Sequence, residues 1–307
     1  MEGVNDGILL VDKSEAQTSH DVVEKVRKIL KPRKVGHAGT LDPFATGLLI
    51  ILVGQGTKLS EFMMALPKSY EALIQLGVDT DTYDKTGKIV KQARQLSVTE
   101  EEVRSALEGL VGEFDQVPPP YSALKIKGQR AYQLARKGED VKLAPRKVKI
   151  YEISVEQVSL PFVSMSLKCS SGTYVRSIAF DLGAKLGCGA HLRELRRTQI
   201  GDFRVEDAIR SSNLMELGRN EILNRIVNPV RALSSMVTIE IPDTLARKVR
   251  SGYCPNVRDV GIEGDSTLAP GMLLKLVCDE QLVAIASIKG SKKGPEEKIL
   301  QLKRVFS

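Results

Sequence analysis

A glycine-rich loop near the start of the chain could present a single carboxylate for chemistry. Residues 36–47 read Gly-His-Ala-Gly-Thr-Leu-Asp-Pro-Phe-Ala-Thr-Gly and place Asp42 directly before Pro43. Glycines allow the backbone to approach a ligand closely, and Pro43 fixes its own φ and biases Asp42 toward an extended conformation. An aspartate before a proline among glycines is as typical of a simple turn as of an active site, so these residues alone leave both interpretations open.

The surrounding segments predict strands and helices that would hold this loop. An apolar run at 7–11 predicts a strand, and Thr18 precedes apolar residues at helical spacing. The run 48–53 indicates a buried strand or helix end, and 70–76 predicts a strand. Thr99 begins a capping box before another helix, 148–167 is strand-rich, and Thr173 is predicted to cap a helix that Gly187 ends. Strands and helices intermix without repeats, which predicts an α+β fold with a mixed, largely antiparallel sheet flanked by helices.

The pattern changes after about residue 237. Short apolar runs at 272–277, 282–288 and 299–305 are separated by turn-forming residues, which predicts a small β-rich module. We therefore predict two domains, 1–235 and 236–307, with the boundary near Ser234 and Ser235.

Positive charge is concentrated in one segment of this basic chain, which has 307 residues and a net charge of +7. Between 122 and 150, nine basic residues face two acidic ones, an excess that equals the charge of the whole chain. A solvated helical face would explain such a cluster, but clustering favours a polyanion-binding element, with Lys125, Lys127 and Arg130 as candidate RNA contacts.

Other features exclude several classes of protein. The four cysteines and three histidines lack metal-ligand spacing, so no metal site is expected. No signal-peptide pattern or bilayer-length apolar run is seen, which predicts a cytoplasmic protein with reduced cysteines and no membrane contact. No glycine-rich loop of the dinucleotide or Walker type is present.

The motif at 36–47 resembles the signature loop of the TruB-type RNA pseudouridine synthases, Gly-His-x-Gly-x-Leu-Asp-Pro followed by Ala-Thr-Gly. The resemblance extends strongly over about residues 7–205. Further segments resemble the family's tyrosine strand, RNA-clasping insertion, arginine motif and following leucine-arginine motif, at 68–77, 118–150, 169–176 and 186–197. The C-terminal module resembles a PUA domain, a small RNA-binding β-barrel, more weakly.

This resemblance implies the pseudouridine-synthase fold and the isomerisation of uridine to pseudouridine, with no cofactor and no metal. Stand-alone bacterial members act on the T-loop uridine at position 55 of tRNA. Asp42 would be the essential carboxylate, acting as nucleophile or as base, and Arg176 would keep it ionised and oriented. Tyr70 would stack on the target uracil and assist proton removal from C5.

The same resemblance implies substrate-binding roles for four more residues. Tyr174 and Leu195 would line the base pocket, His37 would fill the space vacated by the flipped base, and Lys58 would face the RNA. Ordinary structural explanations also exist: Tyr70 could be a half-buried strand aromatic, Leu195 a core residue, His37 a loop histidine and Lys58 a solvated lysine.

Two alternative functions remain open from the sequence. A guide-RNA-dependent synthase of the dyskerin type shares much of the motif, whereas the basic insertion favours a stand-alone monomer that binds the tRNA T stem-loop without an obligatory protein partner. A non-catalytic RNA chaperone would use the fold only for binding.

Overall fold

The computed structural model describes residues 6–31, 34–122, 124–126, 128–139, 141, 143–262, 267–291 and 294–306. The strands are β1 (Gly7–Lys13), β2 (Val35–Ala38), β3 (Thr46–Val53), β4 (Lys68–Leu76), β5 (Val78–Thr80), β6 (Ile89–Gln92), β7 (Gly112–Gln116), β8 (Lys125–Ile126), β9 (Gln129–Arg130), β10 (Arg146–Ser159), β11 (Phe162–Cys169), β12 (Ala190–Ile200), β13 (Phe203–Arg204), β14 (Ile209–Arg210), β15 (Val237–Glu240), β16 (Leu273–Cys278), β17 (Gln281–Ser291) and β18 (Gly294–Val305). The α-helices are α1 (Ser19–Leu30), α2 (Ser60–Ala65), α3 (Glu100–Glu108), α4 (Ala131–Arg136), α5 (Val175–Lys185), α6 (Arg219–Asn224), α7 (Pro229–Ala232) and α8 (Asp243–Arg250).

A ten-stranded sheet forms the centre of the molecule. Its order is β14-β1-β3-β12-β4-β11-β10-β7, with β2 added to β3 and β13 added to β12. The pairs β1–β14 and β3–β12 are parallel and the other pairs of this sheet are antiparallel. The predicted α+β fold with a largely antiparallel sheet is therefore confirmed, and β12, which the sequence analysis did not predict, lies at its middle.

Helices cover this sheet with apolar faces. On α1, the side chains of Val22, Val26 and Leu30 are buried in one cluster with residues of β1 and β3. On α5, Ile178 and Leu182 are buried with residues of β4, β11 and β12. Because burial of apolar side chains is the main stabilising contribution to folding, these two helices determine where the β2–β3 loop and the start of α5 lie.

The helix starts follow the local sequence. Thr18 accepts a hydrogen bond from the N–H of Asp21 at 3.1 Å and donates its own N–H to the Asp21 carboxylate at 2.8 Å, and Thr99 forms the same capping box before α3. These starts were predicted, but the predicted cap of α5 was wrong by one residue. Tyr174 is the N-cap and provides no side-chain cap, and the Thr173 hydroxyl donates to the carbonyl of Ser170 instead of capping the helix. The N–H of Tyr174 donates to Gln116 Oε1 at 2.8 Å.

A second sheet follows in the C-terminal part, in the order β15-β16-β17-β18 with β15 and β16 parallel. The three predicted strands of this part are present, and α8 packs Leu245 and Val249 into the apolar core beneath them. The closed PUA-like barrel predicted from the resemblance is not confirmed by this strand order. None of the helices in the described residues is long and apolar enough to cross a membrane.

Candidate active site

The loop that carries Asp42 joins β2 to β3 at the centre of the large sheet. Its backbone is held by the Ser19 hydroxyl, which accepts the N–H of Leu41 at 2.9 Å and donates to the carbonyl of the same residue. Gly47 has φ +103°, and a Cβ there would lie 2.3 Å from the backbone oxygen of Arg197 on β12. The last glycine of the motif is therefore required by the close approach of two strands, which keeps the loop in register with β12.

Asp42 forms an ion pair with a buried arginine. The distance from Arg176 Nε to Asp42 Oδ2 is 2.9 Å, and Arg176 Nη2 donates to Asp42 Oδ1 at 3.1 Å. The same guanidinium donates to the carbonyls of Thr82 and Tyr121, each at 3.0 Å, and lies 3.4 Å from Asp84 Oδ2. Because Thr82, Tyr121 and Asp84 hold the planar guanidinium in place, its two contacts with Asp42 fix the orientation of that carboxylate.

Opposing effects act on the ionisation of Asp42. Burial raises the pKa of this carboxyl and the negative charge of Asp84 adds to the rise, while the Arg176 guanidinium lowers the pKa by its charge and its hydrogen bond. The net direction is upward from the ordinary value. The fraction of Asp42 that is ionised near neutral pH therefore depends on its contact with Arg176.

Asp42 opens onto a cavity of about 300 Å³. The lining comes from the β2–β3 loop, α2, β4, the segment after β7, the start of β10, the β11–α5 loop, α5 and β12. It includes the side chains of Asp42, Met64, Lys68, Tyr70, Ser122, Arg146, Tyr174, Arg176, Leu195 and Arg197. This volume lies at the lower end of the range for small-ligand pockets. Five residues singled out by the sequence analysis, Asp42, Tyr70, Tyr174, Arg176 and Leu195, thus meet at one cavity.

Tyr70 and Leu195 form apolar walls of this cavity, and each is 8% exposed. Tyr70 lies on β4 with Arg197 as its partner on β12. Burial raises the pKa of the Tyr70 phenol, and the Arg197 guanidinium opposes that rise by its charge and by a hydrogen bond. The phenol is therefore neutral at physiological pH and offers a flat apolar face.

His37 and Lys58 are not among the residues that line this cavity. His37 lies on β2, and burial and the charge of Arg197 lower the pKa of its imidazole. Lys58 Nζ donates to the carbonyl of Val305 at 2.7 Å and to Gln55 Oε1 at 3.1 Å, and lies 5.4 Å from the centre of the Phe306 ring. Their RNA-binding roles stay predictions.

The three basic residues predicted to contact RNA lie away from the cavity lining or outside the described residues. Lys127 lies outside the described residues, as does the side chain of Lys125, whose backbone pairs with Arg130 in the β8–β9 hairpin. Arg130 is exposed. Their predicted contacts with RNA remain untested by the fold.

Several charged residues of the site were given no role in the sequence analysis. Lys13 is fully buried, and its ammonium donates to the carbonyls of Ser14, Gln17 and Pro43 at 2.8–3.3 Å. Burial lowers the pKa of Lys13 to about 8, and the negative charge of Asp42 opposes that shift. A lysine that ends an apolar strand segment was the available signal, because such a charge is buried only when it has partners.

Arg197 is a second missed residue and is 2% exposed. Its Nε donates to the carbonyl of Leu48 at 2.7 Å and its Nη2 to the carbonyl of Gly39 at 3.0 Å. It therefore joins β12 to both ends of the motif loop. Its position in a leucine-arginine motif was visible in the sequence, but its inward direction depends on the register of β12.

The turn between β5 and β6 supplies two of the other contacts of Arg176, those with Thr82 and Asp84. Tyr83 has φ +64°, a conformation that is uncommon for residues other than glycine. Its ring stacks on Phe180 of α5, with centroids 4.0 Å apart and planes 13° from parallel. Because Tyr83 lies between Thr82 and Asp84, the stack fixes the two groups that hold the far side of the Arg176 guanidinium.

Comparison with known proteins identifies the family to which the chain is similar. The model for the N-terminal domain of TruB family pseudouridylate synthases matches residues 27–175, and the tRNA pseudouridylate synthase B C-terminal domain matches residues 176–234. The archaeal box H/ACA sRNP Nop10-Cbf5 complex (TM-score 0.73; 99% of this chain, 87% of that chain) and a Cbf5-Nop10-Gar1 complex (0.75; 99% and 86%) contain chains that share the fold at 24% identity.

Sequence relatives are closer than these solved structures. The tRNA pseudouridine synthase B of Geobacter sulfurreducens is 39% identical over 98% of this chain and 100% of its own length. The protein of the same name from Thermotoga maritima is 46% identical over 80% of this chain and 78% of its own. With a paired carboxylate in the signature loop and relatives matched along almost its full length, the chain belongs to the TruB family of pseudouridylate synthases.

Proposed function

We propose that this chain isomerises the T-loop uridine at position 55 of tRNA to pseudouridine, with Asp42 as the essential carboxylate. The observation that carries the proposal is the ion pair of Asp42 with Arg176 at a cavity lined by Tyr70, Tyr174 and Leu195. The relatives are named for activity on tRNA, which supports the choice of substrate. As a pseudouridine synthase, the enzyme is an isomerase.

The reaction exchanges one bond for another within the nucleotide. The bond from N1 to C1′ breaks, a bond from C5 to C1′ forms, one proton leaves C5 and one proton joins N1. The reaction therefore needs no oxidant, reductant or second substrate. In our proposal ionised Asp42 acts at the ribose, as nucleophile or as base, and the target base first flips out of the T loop into the cavity.

The cavity walls support roles for the other residues in this scheme. Tyr70 offers a flat, buried aromatic face against which the uracil would stack, and its phenol oxygen would take part in proton removal from C5. Tyr174 and Leu195 would close the pocket around the base. His37 would fill the vacated space in the T loop, and Lys58 would contact the RNA backbone.

We propose two domains, a catalytic domain at 1–235 with the basic insertion at 118–150, and a PUA-like RNA-binding domain at 236–307. Support comes from the separate four-stranded sheet of the C-terminal part and its own apolar cluster. The two parts touch where Lys275 donates to the carbonyls of Val230 and Leu233, at 2.8 and 2.9 Å.

We further propose that the chain acts in the cytoplasm as a monomer, with tRNA as its partner and without an obligatory protein partner. The basic insertion supports this proposal because it offers a second RNA-contacting element within the same chain. Product formation by the purified protein alone on a bare hairpin separates this proposal from a guide-RNA-dependent enzyme. Light scattering with and without tRNA measures the oligomeric state.

The substitution Asp42→Asn tests the proposed chemistry. We expect pseudouridine formation on a T-stem-loop RNA, mapped by carbodiimide modification, to fall by about 10³-fold or more because the carboxylate is lost. RNA binding is expected to persist. Asp207→Asn is the matched control, since Asp207 is exposed and does not line the cavity. Normal turnover by Asp42→Asn would overturn the role of Asp42, and tRNA binding by the wild-type protein without any product would favour the chaperone alternative.

A further inference from the structure

Arg146 differs from the other cations that line the cavity. Arg176 contacts Asp42 and Asp84, Arg197 donates to two carbonyls, and Lys68 donates to the carbonyls of nearby residues. For the guanidinium of Arg146, the described part of the chain provides neither a carboxylate nor a hydrogen-bond acceptor. Its Nε is nevertheless buried. Because buried donors without a partner are rare in folded proteins, this one points to an acceptor that arrives with a ligand.

This guanidinium packs against an aromatic ring and a glycine. Its Cζ lies 4.4 Å from the centre of the Tyr174 ring, the distance of a cation–π contact. On another side lies Gly172, where a Cβ would be 3.5 Å from the same Cζ. A second polar group of the cavity, the hydroxyl of Ser122, is also buried without a partner among the described residues. Among the described residues that line the cavity, Arg146 Nε and the Ser122 hydroxyl thus have no protein partner within contact distance, whereas the buried Arg176 Nε lies 2.9 Å from Asp42 Oδ2.

We propose that Arg146 binds a phosphodiester of the RNA next to the flipped nucleotide. The proposal rests on the proposed function, since it places the base against Tyr174 and the adjoining phosphate against Arg146, which stacks on the same ring. A planar guanidinium presents several N–H donors in a geometry that matches phosphate oxygens. The charge of Arg146 is not neutralised by a carboxylate in the described residues, and a phosphate would supply the opposite charge.

The first test compares Arg146→Gln with Arg104→Gln. The control removes the same charge from a helix-surface arginine that is ion-paired with Glu100 at 2.7 Å and does not line the cavity. For Arg146→Gln we expect the Kd for T-stem-loop RNA to rise by about 10-fold and the slope of log K against log salt to become shallower by roughly 0.7–0.9. For Arg104→Gln we expect neither change. Equal salt slopes for wild type and Arg146→Gln would overturn the proposal.

The second test identifies the phosphate. A methylphosphonate replaces the phosphodiester on the 5′ or 3′ side of the target uridine, with a matched phosphodiester RNA of the same sugar composition as reference. At the linkage that Arg146 contacts, we expect the neutral RNA to weaken wild-type binding by about 10-fold and to have little further effect on Arg146→Gln. If the methylphosphonate and Arg146→Gln weaken binding additively at both linkages, Arg146 contacts neither phosphate. Arg146 would then bind a base edge or only fill space.

A third arm separates this inference from the proposed function. Arg146→Lys keeps the charge but loses the planar fork and its stacking on Tyr174, so we expect it to retain the wild-type salt slope with weaker affinity. Thermal melting of each variant monitors folding. If the wild-type protein forms no pseudouridine in the hairpin, the proposed function fails first. If it does and Arg146→Gln behaves like Arg104→Gln, only the role of Arg146 fails.

Discussion

The buried cations around Asp42 and the exposed cations of the basic insertion use the same residue types in opposite ways. Arg176, Arg197 and Lys13 are at most 5% exposed, and each makes several contacts with carbonyl or carboxylate oxygens. In the insertion, Arg136 and Lys137 are exposed. Arg136 lies over the Tyr132 ring at 5.6 Å, a contact that leaves its charge in solvent.

This difference indicates different tasks. A buried cation that is held by several acceptors cannot move toward a ligand, so it orients the groups around it and shifts their pKa values. An exposed cation is screened by salt and contributes mainly to attraction of the RNA and to counterion release. Substitutions of the buried cations held by protein acceptors should therefore change the rate of the chemical step, and substitutions of the exposed cations should change RNA affinity and its salt dependence. Arg146, which belongs to the insertion and lines the cavity without a protein acceptor among the described residues, is expected to behave like the second group.

Among the cations, the largest effect is expected for Arg176→Gln, which removes the cation that lowers the pKa of Asp42. With Asp84 still nearby, the pKa of Asp42 should rise further. Ionised Asp42 is the proposed active form, and its fraction falls as pH drops through this pKa, so the acidic limb of the pH–rate profile should move to higher pH. We expect the single-turnover rate at saturating RNA to fall by about 10²–10⁴-fold near pH 7.

The matched variant is Arg176→Lys, which keeps the charge but loses the paired hydrogen bonds. Its acidic limb should lie closer to that of the wild type, while its rate stays low because the carboxylate is less well oriented. Melting temperatures show whether either variant loses the fold, since removal of one partner from a buried ion pair is destabilising. If the acidic limb of the pH–rate profile is unchanged in Arg176→Gln, Arg176 does not control the ionisation of Asp42.

The insertion should respond differently to loss of charge. Replacing Lys125, Lys127 and Arg130 together by Gln is expected to weaken RNA binding by about 10-fold at low salt. The salt slope should become shallower by about one unit for each lost phosphate contact. The rate at saturating RNA should stay unchanged. A reduced saturating rate with an unchanged slope would place these residues in the chemical step and remove the distinction between the two regions.

Sequence patterns predicted much of the fold because the signals were local. Capping residues such as Thr18 and Thr99 and the apolar run of β3 determine structure within a few residues, and the structure contains those elements. The position of β12 was not predictable in this way. Its central place depends on pairing with β3 and β4, which lie more than a hundred residues earlier in the chain.

The same limit applies to the site. Asp42 and Arg176 were paired through the resemblance, and the ion pair is present at 2.9 Å. The partners of Arg176 at Thr82 and Asp84 were missed, because the turn between β5 and β6 has the polar composition of an ordinary surface turn. Contacts between distant residues, the stack of Tyr83 on Phe180 and those of Arg176 with Thr82 and Asp84, show that this turn supports the site.

That stack supplies a smaller prediction within the cavity region. In Phe180→Leu the turn loses its aromatic contact, and an aromatic pair contributes about 1 kcal/mol beyond its buried area. We expect the single-turnover rate to fall by about 3–5-fold through looser positioning of Arg176, with RNA affinity unchanged. Phe180→Tyr keeps the ring and should keep the wild-type rate. A wild-type rate in Phe180→Leu would mean that Arg176 is held without help from this turn.

Lys58 is an intermediate case and should give the smallest effect. The family resemblance predicts that it faces RNA, while its ammonium donates to the carbonyl of Val305 and lies over Phe306. If it acts mainly as a cation held by protein acceptors, Lys58→Gln should lower the free energy of unfolding by about 1 kcal/mol and leave the salt slope of RNA binding unchanged. Chemical denaturation and salt-dependent binding measure the two quantities separately. Lys137→Gln, at an exposed cation of the insertion, is the contrasting variant and should change the slope but not the stability. A shallower slope with unchanged stability would instead place Lys58 with the RNA-attracting cations, because only a released phosphate contact changes that slope.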